Sequence, residues 1–235
     1  MKKYLVIGNP IEHSLSPKLH NYWIKKNNID AAYDKKKINE DDIKDIITEV
    51  KNGKIDGINV TVPFKKSVIP FLDKLTPIAD EAQSVNTVYK ENNKVIGHNT
   101  DTGGFELGLR CINYDVKKKK IFILGAGGVV SSIILALKKM EAFKIILSNR
   151  TKQKAEDLKK IYSDLEIIDW GQITDFDMII NATSLGLKNN DQIQLDLSKV
   201  GKGKLFYDVI YNPTKTNFLL EGEKKGNQTE NGKMM

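Results

Sequence analysis

Short runs of apolar residues alternate along the chain with longer stretches in which apolar residues recur every three or four positions. The short runs predict strands, and the longer period predicts amphipathic helices. Ser16 stands at the start of the first such helix, where a hydroxyl is a natural N-cap. The first half of the chain is predicted to hold strands at 4–8, 31–38 and 57–62, helices at 17–27, 41–51 and 67–84 (the last broken by Pro77), and a hairpin of 85–90 and 94–97.

A second alternation begins at Ile121, directly after the basic run 117–120. Its strands are short and almost wholly apolar, which is typical of a parallel sheet covered by helices on both faces. We therefore predict an α/β protein with a first domain at 1–101, a linking helix within 102–116 and a doubly wound, Rossmann-like domain at 117–235. The predicted strands of the second half are 121–124, 143–148, 176–181 and 204–209, and its predicted helices are 102–113, 129–139 and 152–163.

Composition argues against a secreted or membrane-spanning protein. Of the 235 residues 40% are hydrophobic, but no apolar run is long enough for a membrane-spanning helix, which needs about 20 such residues. The apolar run 4–8 is too short for a signal peptide. The single cysteine, Cys111, excludes an intrachain disulfide and fits a reducing compartment. We therefore expect a soluble, cytoplasmic protein.

The formal net charge of +7 raises the question of a nucleic-acid or membrane partner. The basic residues are nearly all lysines scattered among acidic residues, without the interleaved aromatic residues that stack on bases. We therefore expect neither partner, and we interpret the run 117–120 as a solvated loop. His13, His20 and His98 show no metal-ligand spacing, so no metal site is predicted.

The stretch 59–65 combines an alternating strand with polar residues at its end. The period of two places Asn59 and Thr61 on one face of the strand. Pro63 is expected to end the strand before Lys65, because proline cannot donate a hydrogen bond to a sheet. Polar groups gathered at the end of a strand predict a site for a small polar ligand.

A glycine-rich turn stands between the predicted strand 121–124 and the predicted helix 129–139. Its residues are Gly125, Ala126, Gly127 and Gly128. Such a turn lets the pyrophosphate of a dinucleotide approach the N-terminus of the helix. The third position of the dinucleotide fingerprint is Val130, which is bulkier than the usual residue. A glycine turn without a ligand is the alternative interpretation.

The residues about twenty positions beyond the glycines favour NADP over NAD. An NAD-binding chain carries an acidic residue there, whereas this chain carries Asn149, Arg150 and Thr151. A guanidinium binds a 2′-phosphate through two parallel charge-assisted hydrogen bonds. Lys154, one turn into the following helix, would add a second positive contact. A solvated arginine at a strand end is the alternative.

Further motifs resemble the shikimate dehydrogenase family in the same order along the chain. The resemblance implies reversible, NADPH-dependent reduction of the ketone 3-dehydroshikimate to shikimate, a step of chorismate and aromatic amino-acid biosynthesis. It also implies a substrate domain, an NADP-binding domain and an active site in the cleft between them. The motifs are Gly8-Asn9-Pro10-Ile11, His13-Ser14-Leu15-Ser16-Pro17, Ser84-Val85-Asn86-Thr87, Asn99-Thr100-Asp101, Asn181-Ala182-Thr183-Ser184-Leu185-Gly186 and Asp208-Val209-Ile210-Tyr211-Asn212-Pro213-Thr214.

The same resemblance implies roles for individual residues. Lys65 and Asp101 match the catalytic pair of the family, with Lys65 as our candidate proton donor and a surface salt bridge as the alternative. The residues implied to contact the substrate are Ser14, Ser16 and Tyr211 at its carboxylate, and Asn59, Thr61, Asn86 and Asp101 at its ring hydroxyls. The residues implied to contact the cofactor, besides the glycine turn and 149–154, are Asn181, Thr183, Ser184 and Val209.

The family normally continues beyond the position of Met235 with helices that return to the first domain, one of which carries a substrate-contacting glutamine. We therefore expect an uncovered apolar patch on the first domain. Two other functions stay open at this point, an NAD-dependent quinate or shikimate dehydrogenase and a truncated nucleotide-binding protein with little turnover. Whether the protein is a monomer or a homodimer also stays open.

Overall fold

The computed structural model describes residues 1–12, 14–188 and 191–235. These residues form two compact units, Met1–Thr100 and Asp101–Met235. No helix in the described ranges is both long enough and apolar enough to cross a membrane.

The first unit is built on a mixed sheet of six strands in the order β2-β1-β3-β5-β6-β4. Strand β1 is parallel to both of its neighbours, whereas β5 is antiparallel to β3 and β6. Two single turns of 3₁₀ helix, Glu40–Asp42 and Ile69–Phe71, complete the unit. The strands are β1 Lys2–Gly8, β2 Ala31–Lys37, β3 Gly57–Val60, β4 Lys74–Leu75, β5 Thr87–Glu91 and β6 Lys94–His98, and the helices are α1 Ser16–Lys26, α2 Ile43–Lys51 and α3 Pro77–Ala82.

Helix α2 covers one face of this sheet. Ile43, Ile46, Ile47 and Val50 recur at helical spacing and are buried. They share one core cluster with sheet residues such as Ile58. Each buried aliphatic side chain contributes about 1.5–3 kcal/mol, so this stripe is the main attachment of the helix.

Helix α1 is held against the edge strand β2 by polar contacts. Asn21 donates from Nδ2 to the carbonyl of Tyr33 at 2.7 Å and accepts from its amide at 3.0 Å. None of the residues of α1 is buried, and Leu19, Tyr22 and Trp23 are exposed. These three side chains give the first unit an exposed apolar surface.

Two predicted helix boundaries in the first unit are wrong. Residues 67–84 do not form a helix broken by Pro77, because the segment contains a 3₁₀ turn and strand β4, and α3 begins at Pro77. Proline suits that first position, since it has no amide hydrogen and its φ is already helical. Ser16 is the first residue of α1 and not its N-cap, a position that Leu15 takes without a side-chain hydrogen bond.

Strand β3 ends at Val60, two residues before the predicted end. The amide of Thr61 still donates to the carbonyl of Ile7 at 2.9 Å, but the chain then enters a turn in which the amide of Phe64 donates to the carbonyl of Thr61. The turn buries Phe64 in the core, while Val62 is exposed. The chain therefore turns and buries the aromatic ring of Phe64, instead of extending strand β3 through the alternating apolar residues.

The second unit is a six-stranded sheet in the order β12-β11-β10-β7-β8-β9, and every pairing is parallel. This is the strand order of a doubly wound dinucleotide-binding fold, as predicted. The 3₁₀ helix Gly232–Met234 ends the unit. The strands are β7 Lys120–Leu124, β8 Lys144–Ser148, β9 Glu166–Ile168, β10 Met178–Asn181, β11 Leu205–Asp208 and β12 Gln228–Asn231, and the helices are α4 Asp101–Cys111, α5 Val130–Lys139, α6 Lys152–Ile161 and α7 Asn217–Lys224.

Both faces of this sheet are buried. In β7, Ile121 and Ile123 enter one core cluster, while Phe122 and Leu124 enter the cluster on the other face. Helix α4 belongs to the first of these clusters through residues such as Phe105. A strand covered on both faces must be apolar at every position, which explains why the apolar runs predicted these strands well.

Candidate active site

Lys65 lies in the turn that follows β3 and is only 8% exposed. Its carbonyl accepts a hydrogen bond from the amide of Val85 at 2.8 Å, and its neighbour Phe64 is buried in the core of the unit. A lysine with so little solvent around it is unusual, because burial of an ammonium is costly unless the group is paired. The sequence predicted this lysine as the proton donor, and the fold places it at the end of the sheet that carries Asn59.

Polar side chains at the ends of β3 and β5 form a continuous set of hydrogen bonds. Asn59 donates from Nδ2 to Thr87 Oγ1 at 3.2 Å, and Thr87 donates to Asn86 Oδ1 at 3.0 Å. Asn86 in turn donates from Nδ2 to Thr100 Oγ1 at 2.7 Å. The fold thus brings together two predicted substrate residues, Asn59 and Asn86, that are far apart in the sequence.

Sequence reasoning missed Tyr33, which joins this set. The Tyr33 hydroxyl donates to Asn59 Oδ1 at 2.6 Å, while burial raises the pKa of the phenol and the Ser16 side chain opposes that rise. Its ring is buried. A lone aromatic residue in a strand is typical of a core position, so no local signal pointed to a polar role.

Ser14, Ser16 and Thr61 are half-buried in the same unit. The Ser14 hydroxyl accepts a hydrogen bond from the amide of Ser16 at 3.3 Å, at the start of α1. Thr61 is packed against Gly8, where an added Cβ would lie only 2.5 Å from the Thr61 methyl. Gly8 is therefore needed for the close approach of β1 to Thr61.

Asp101 and Tyr211 belong to the second unit. Asp101 is the first residue of α4 and is half-buried, a position where the helix dipole favours a carboxylate. Tyr211 follows β11 and is 40% exposed. Both residues are accessible to a ligand, as their predicted roles require.

The predicted glycine turn joins β7 to α5. Gly125 has a φ of +107°, and a Cβ there would lie 2.7 Å from the carbonyl oxygen of Ala182, so only glycine fits. Gly127 is exposed, and Ala126 and Gly128 are half-buried. Helix α5 begins without a side-chain N-cap, and the dipole of a helix favours an anion at its N-terminus. These residues fit the pyrophosphate of a dinucleotide.

The residues after β8 also fit the predicted cofactor. Arg150, Thr151 and Lys154 are exposed. Asn149 donates from Nδ2 to the carbonyl of Thr151 at 2.7 Å, which closes the turn before α6. Among the residues that the structure describes, Arg150 forms neither an ion pair nor a side-chain hydrogen bond, so its guanidinium is available to a phosphate.

Asn181 ends β10 and is fully buried. Its Oδ1 accepts from the amide of Thr183 at 3.1 Å and from the Thr183 hydroxyl at 2.7 Å, and its Nδ2 donates to the carbonyl of Leu185 at 2.9 Å. Its own carbonyl accepts from the amide of Val209 at 3.0 Å. Asn181 thereby shapes the loop in which Thr183 is half-buried and Ser184 exposed.

Asp208, which sequence reasoning did not single out, is the buried centre of this region. Its carboxylate accepts from Asn181 Nδ2 at 3.1 Å to each oxygen, from the amide of Ile210 at 3.0 Å and from the Thr216 hydroxyl at 2.6 Å. Burial raises the pKa of Asp208, and these hydrogen bonds oppose that rise. Thr216 is also the N-cap of α7, so one carboxylate links the ends of β10 and β11 to a helix.

The described residues contain no group of three or more histidine, cysteine or acidic side chains that could hold a metal ion. His20 stacks on Tyr33 with ring centroids 4.2 Å apart, and His98 Nδ1 is hydrogen-bonded to Thr76 Oγ1 at 2.9 Å. His13 lies outside the described residues.

Comparison with known proteins decides the family. Residues 6–88 match the model of the shikimate dehydrogenase substrate binding domain, and residues 106–208 match the shikimate / quinate 5-dehydrogenase model. The chain is 59% identical over 234 residues to the shikimate dehydrogenase (NADP(+)) of Pelagibacter ubique (strain HTCC1062), a match that covers 100% of the chain and 88% of that relative. The chain belongs to the shikimate dehydrogenase family.

Solved structures agree with this placement in the shikimate dehydrogenase family. The shikimate dehydrogenase of Aquifex aeolicus has a TM-score of 0.92 at 38% identity, with 100% of this chain and 87% of that chain covered. The shikimate 5-dehydrogenase of Thermus thermophilus, in complex with NADP(H) and shikimate, has a TM-score of 0.88 at 27% identity, with 99% and 87% covered. The predicted family and fold class are confirmed.

The two shikimate dehydrogenase models divide the predicted site residues. The model of the substrate binding domain includes the predicted residues of the first unit, from Ser14 to Asn86, and the second model includes the glycine turn and Arg150. Asp101, Val209 and Tyr211 lie outside both matched segments. The individual roles of these residues stay predictions.

Proposed function

We propose that the protein reversibly reduces 3-dehydroshikimate to shikimate with NADPH, a step in aromatic amino-acid biosynthesis. The observation that carries the proposal is the set of polar groups around the end of β3, where the buried Lys65 follows Asn59 and Thr61 within the segment matched by the substrate binding model. Such a set suits a ring that carries several hydroxyl groups, because buried polar groups left unpaired reject analogues without them.

Lys65 is proposed to donate the proton that the ketone oxygen needs when the ketone becomes an alcohol. An ammonium can supply that proton, and its near burial limits the directions it can take. Asp101 is proposed as the second catalytic residue. Ser14, Ser16 and Tyr211 are proposed to bind the substrate carboxylate, and Asn86 is proposed to bind a ring hydroxyl.

NADPH, when bound, supplies the hydride. The glycine turn at 125–128 would hold its pyrophosphate, and Arg150 with Lys154 would hold its 2′-phosphate. Thr183, Ser184 and Val209 are proposed to line the nicotinamide side, with Asn181 behind them. The absence of an acidic residue at 149–151 favours NADP over NAD.

We assign substrate binding to the predicted domain 1–101 and cofactor binding to 117–235, with 102–116 as the connecting segment. A cytoplasmic location is part of the proposal, since the lone Cys111 suits a reducing compartment.

The proposal is tested by following the absorbance of NADPH with purified protein, shikimate and either NADP or NAD. We expect NADP to be reduced, and we expect Lys65→Ala to lower the rate by about 10²–10⁴ without loss of folded structure by circular dichroism. Lys66→Ala is the matched control, because Lys66 is the exposed neighbour. No turnover of shikimate by the wild type, or an unchanged rate in Lys65→Ala, would contradict the proposal.

A further inference from the structure

Tyr33 reaches across the sheet of the first unit. It lies on β2, whereas Asn59 lies on β3, and β1 runs between the two strands. Tyr33 is 5% exposed and packs with Val6 of the intervening strand. Its hydroxyl nevertheless makes a short hydrogen bond of 2.6 Å to Asn59 Oδ1. The phenol therefore connects the edge strand β2 to the polar side chains at the ends of β3 and β5.

The hydrogen bonds that join one side chain to the next from Tyr33 to Thr100 run in one direction, while the Thr100 amide donates back to Asn86 Oδ1 at 3.0 Å. Tyr33 donates to Asn59, Asn59 Nδ2 donates to Thr87, Thr87 donates to Asn86 Oδ1, and Asn86 Nδ2 donates to Thr100. Asn59 and Asn86 each accept at Oδ1 from the preceding side chain and donate from Nδ2 to the next one. Tyr33 is the first donor in this series of hydrogen bonds, and hydrogen bonds in such a series strengthen one another.

The direction of these hydrogen bonds determines whether Asn59 can offer a donor or an acceptor to a ligand. Its Nδ2 is engaged by the carbonyl of Asn86 and by Thr87, each at 3.2 Å. Its Oδ1 accepts from Tyr33 and keeps one further acceptor site. Asn59 can therefore accept a hydrogen bond from a ligand hydroxyl without losing any of its present contacts.

We propose that Tyr33 is a positioning residue for the substrate, which orients the amides of Asn59 and Asn86 so that Asn59 presents an acceptor to a substrate hydroxyl. The inference rests on the proposed function and adds a residue to it. The side chain of Ser16, a predicted carboxylate ligand, also lowers the pKa of the Tyr33 phenol. Tyr33 is thus hydrogen-bonded to one predicted substrate residue and influenced by a second from another element of the fold.

The surroundings of Tyr33 keep it in place. Asn21 pairs with both its amide and its carbonyl, and His20 stacks on its ring at an interplanar angle of 6°. Burial raises the pKa of the phenol, so it stays protonated and able to donate. Removal of the hydroxyl alone should leave these packing contacts intact.

Tyr33→Phe tests the inference, with Tyr4→Phe as the matched control. Tyr4 is the direct register partner of Tyr33 on β1, and its hydroxyl makes no hydrogen bond to the described residues. We expect Tyr33→Phe to raise the KM for shikimate about tenfold, as expected for one lost hydrogen bond, with kcat changed less than about twofold. The KM for NADP should not change, and Tyr4→Phe should match the wild type.

A double-mutant cycle with Asn59→Ala separates positioning from mere packing. If Tyr33 acts through Asn59, then Tyr33→Phe should raise the KM for shikimate much less in the Asn59→Ala background than in the wild type. Equal effects in both backgrounds would overturn the inference, as would an unchanged KM in Tyr33→Phe or a loss confined to kcat. Thermal unfolding of each variant checks that it is folded.

The wild type is assayed first, so the two proposals can fail separately. A folded wild-type protein without turnover of shikimate overturns the proposed function and this inference with it. An active wild type whose KM is unaffected by Tyr33→Phe overturns only the role of Tyr33.

Discussion

The two units of the molecule hold their site residues with different kinds of polar network. In the first unit, the network from Tyr33 to Thr100 joins hydroxyl and amide groups. In the second unit, the network centres on the carboxylate of Asp208, which accepts from Asn181, Ile210 and Thr216. One network links hydroxyl and amide groups to one another, and the other surrounds a buried acid.

The networks also differ in how many hydrogen-bonding groups they leave available to a ligand. Asn59 is half-buried and keeps a free acceptor site, whereas Asn181 and Asp208 are fully buried. A buried carboxylate needs several donors to offset its loss of hydration. We infer that the first network serves direct substrate recognition, while the second keeps backbone loops in place for the cofactor.

The largest effect is expected from Asp208→Ala. The variant would leave the Ile210 amide, the Thr216 hydroxyl and the Asn181 amide short of an acceptor, and each unpaired buried group costs about 1–3 kcal/mol. We expect the free energy of unfolding, measured by urea denaturation, to fall by about 3 kcal/mol or more. Asp164→Ala is the control.

Asp164 pairs with Lys138 at the surface, where its side chain is 63% exposed. Loss of such a pair should cost less than about 1 kcal/mol. Similar losses of stability in the two alanine variants would remove the distinction between the networks.

The second expected effect concerns charge recognition in the second unit. Arg150→Ala should raise the KM for NADP about 10–100-fold, because a guanidinium-phosphate pair is worth about 1.5–3 kcal/mol. The KM for shikimate should not change, and the effect on NADP should shrink at high ionic strength. Steady-state kinetics at two salt concentrations measures both.

Lys159→Ala is the control for that variant, because Lys159 is an exposed cation on α6. An equal loss of NADP affinity in both variants would indicate a general electrostatic attraction by the positive charges of this region, and not a specific contact between Arg150 and the 2′-phosphate. A larger effect on NAD than on NADP would contradict the role of Arg150.

The smallest effect is expected in the pH dependence of stability. The pKa of Asp208 is raised in the folded protein, so its contribution to stability is fully present below its ordinary pKa of 3.8 and is lost as the pH rises through the folded value. Asp208→Asn removes this titration. The stability of the wild type relative to Asp208→Asn should therefore fall as the pH rises from about 4 upward.

Urea denaturation of both proteins across that range gives the difference. A rise in the relative stability of the wild type would mean that the donors around Asp208 outweigh its burial.

Much of the fold could be predicted from the sequence, for a local reason. Strands buried on both faces, such as β7 and β10, must be apolar throughout, and their runs stand out. Strand β12 was not predicted, because its sequence Gln228–Asn231 has no apolar residue. Its pairing with β11 depends on the rest of the sheet, which no local pattern records.

The residues of the candidate site also divide into those with a local sequence signal and those without one. Lys65 and Arg150 could be proposed because each stands beside a recognisable strand end. Tyr33 could not, since its hydrogen-bond partner Asn59 is 26 positions away. Asp208 lies inside a motif that the sequence singled out, but its burial depends on three other segments of the chain.

The sequence by itself determined the family and the parallel sheet of the second unit, and it predicted a preference for NADP over NAD. Each of these depends on signals that are short in the sequence: the family motifs, an apolar run, a glycine turn and an arginine after a strand. Only the tertiary structure decided which polar atoms remain free for a ligand. Each polar group can form only a few hydrogen bonds, and its partners come from distant parts of the chain. The number of further hydrogen bonds that Asn59 or Asn181 can form is therefore determined only when the strands are assembled.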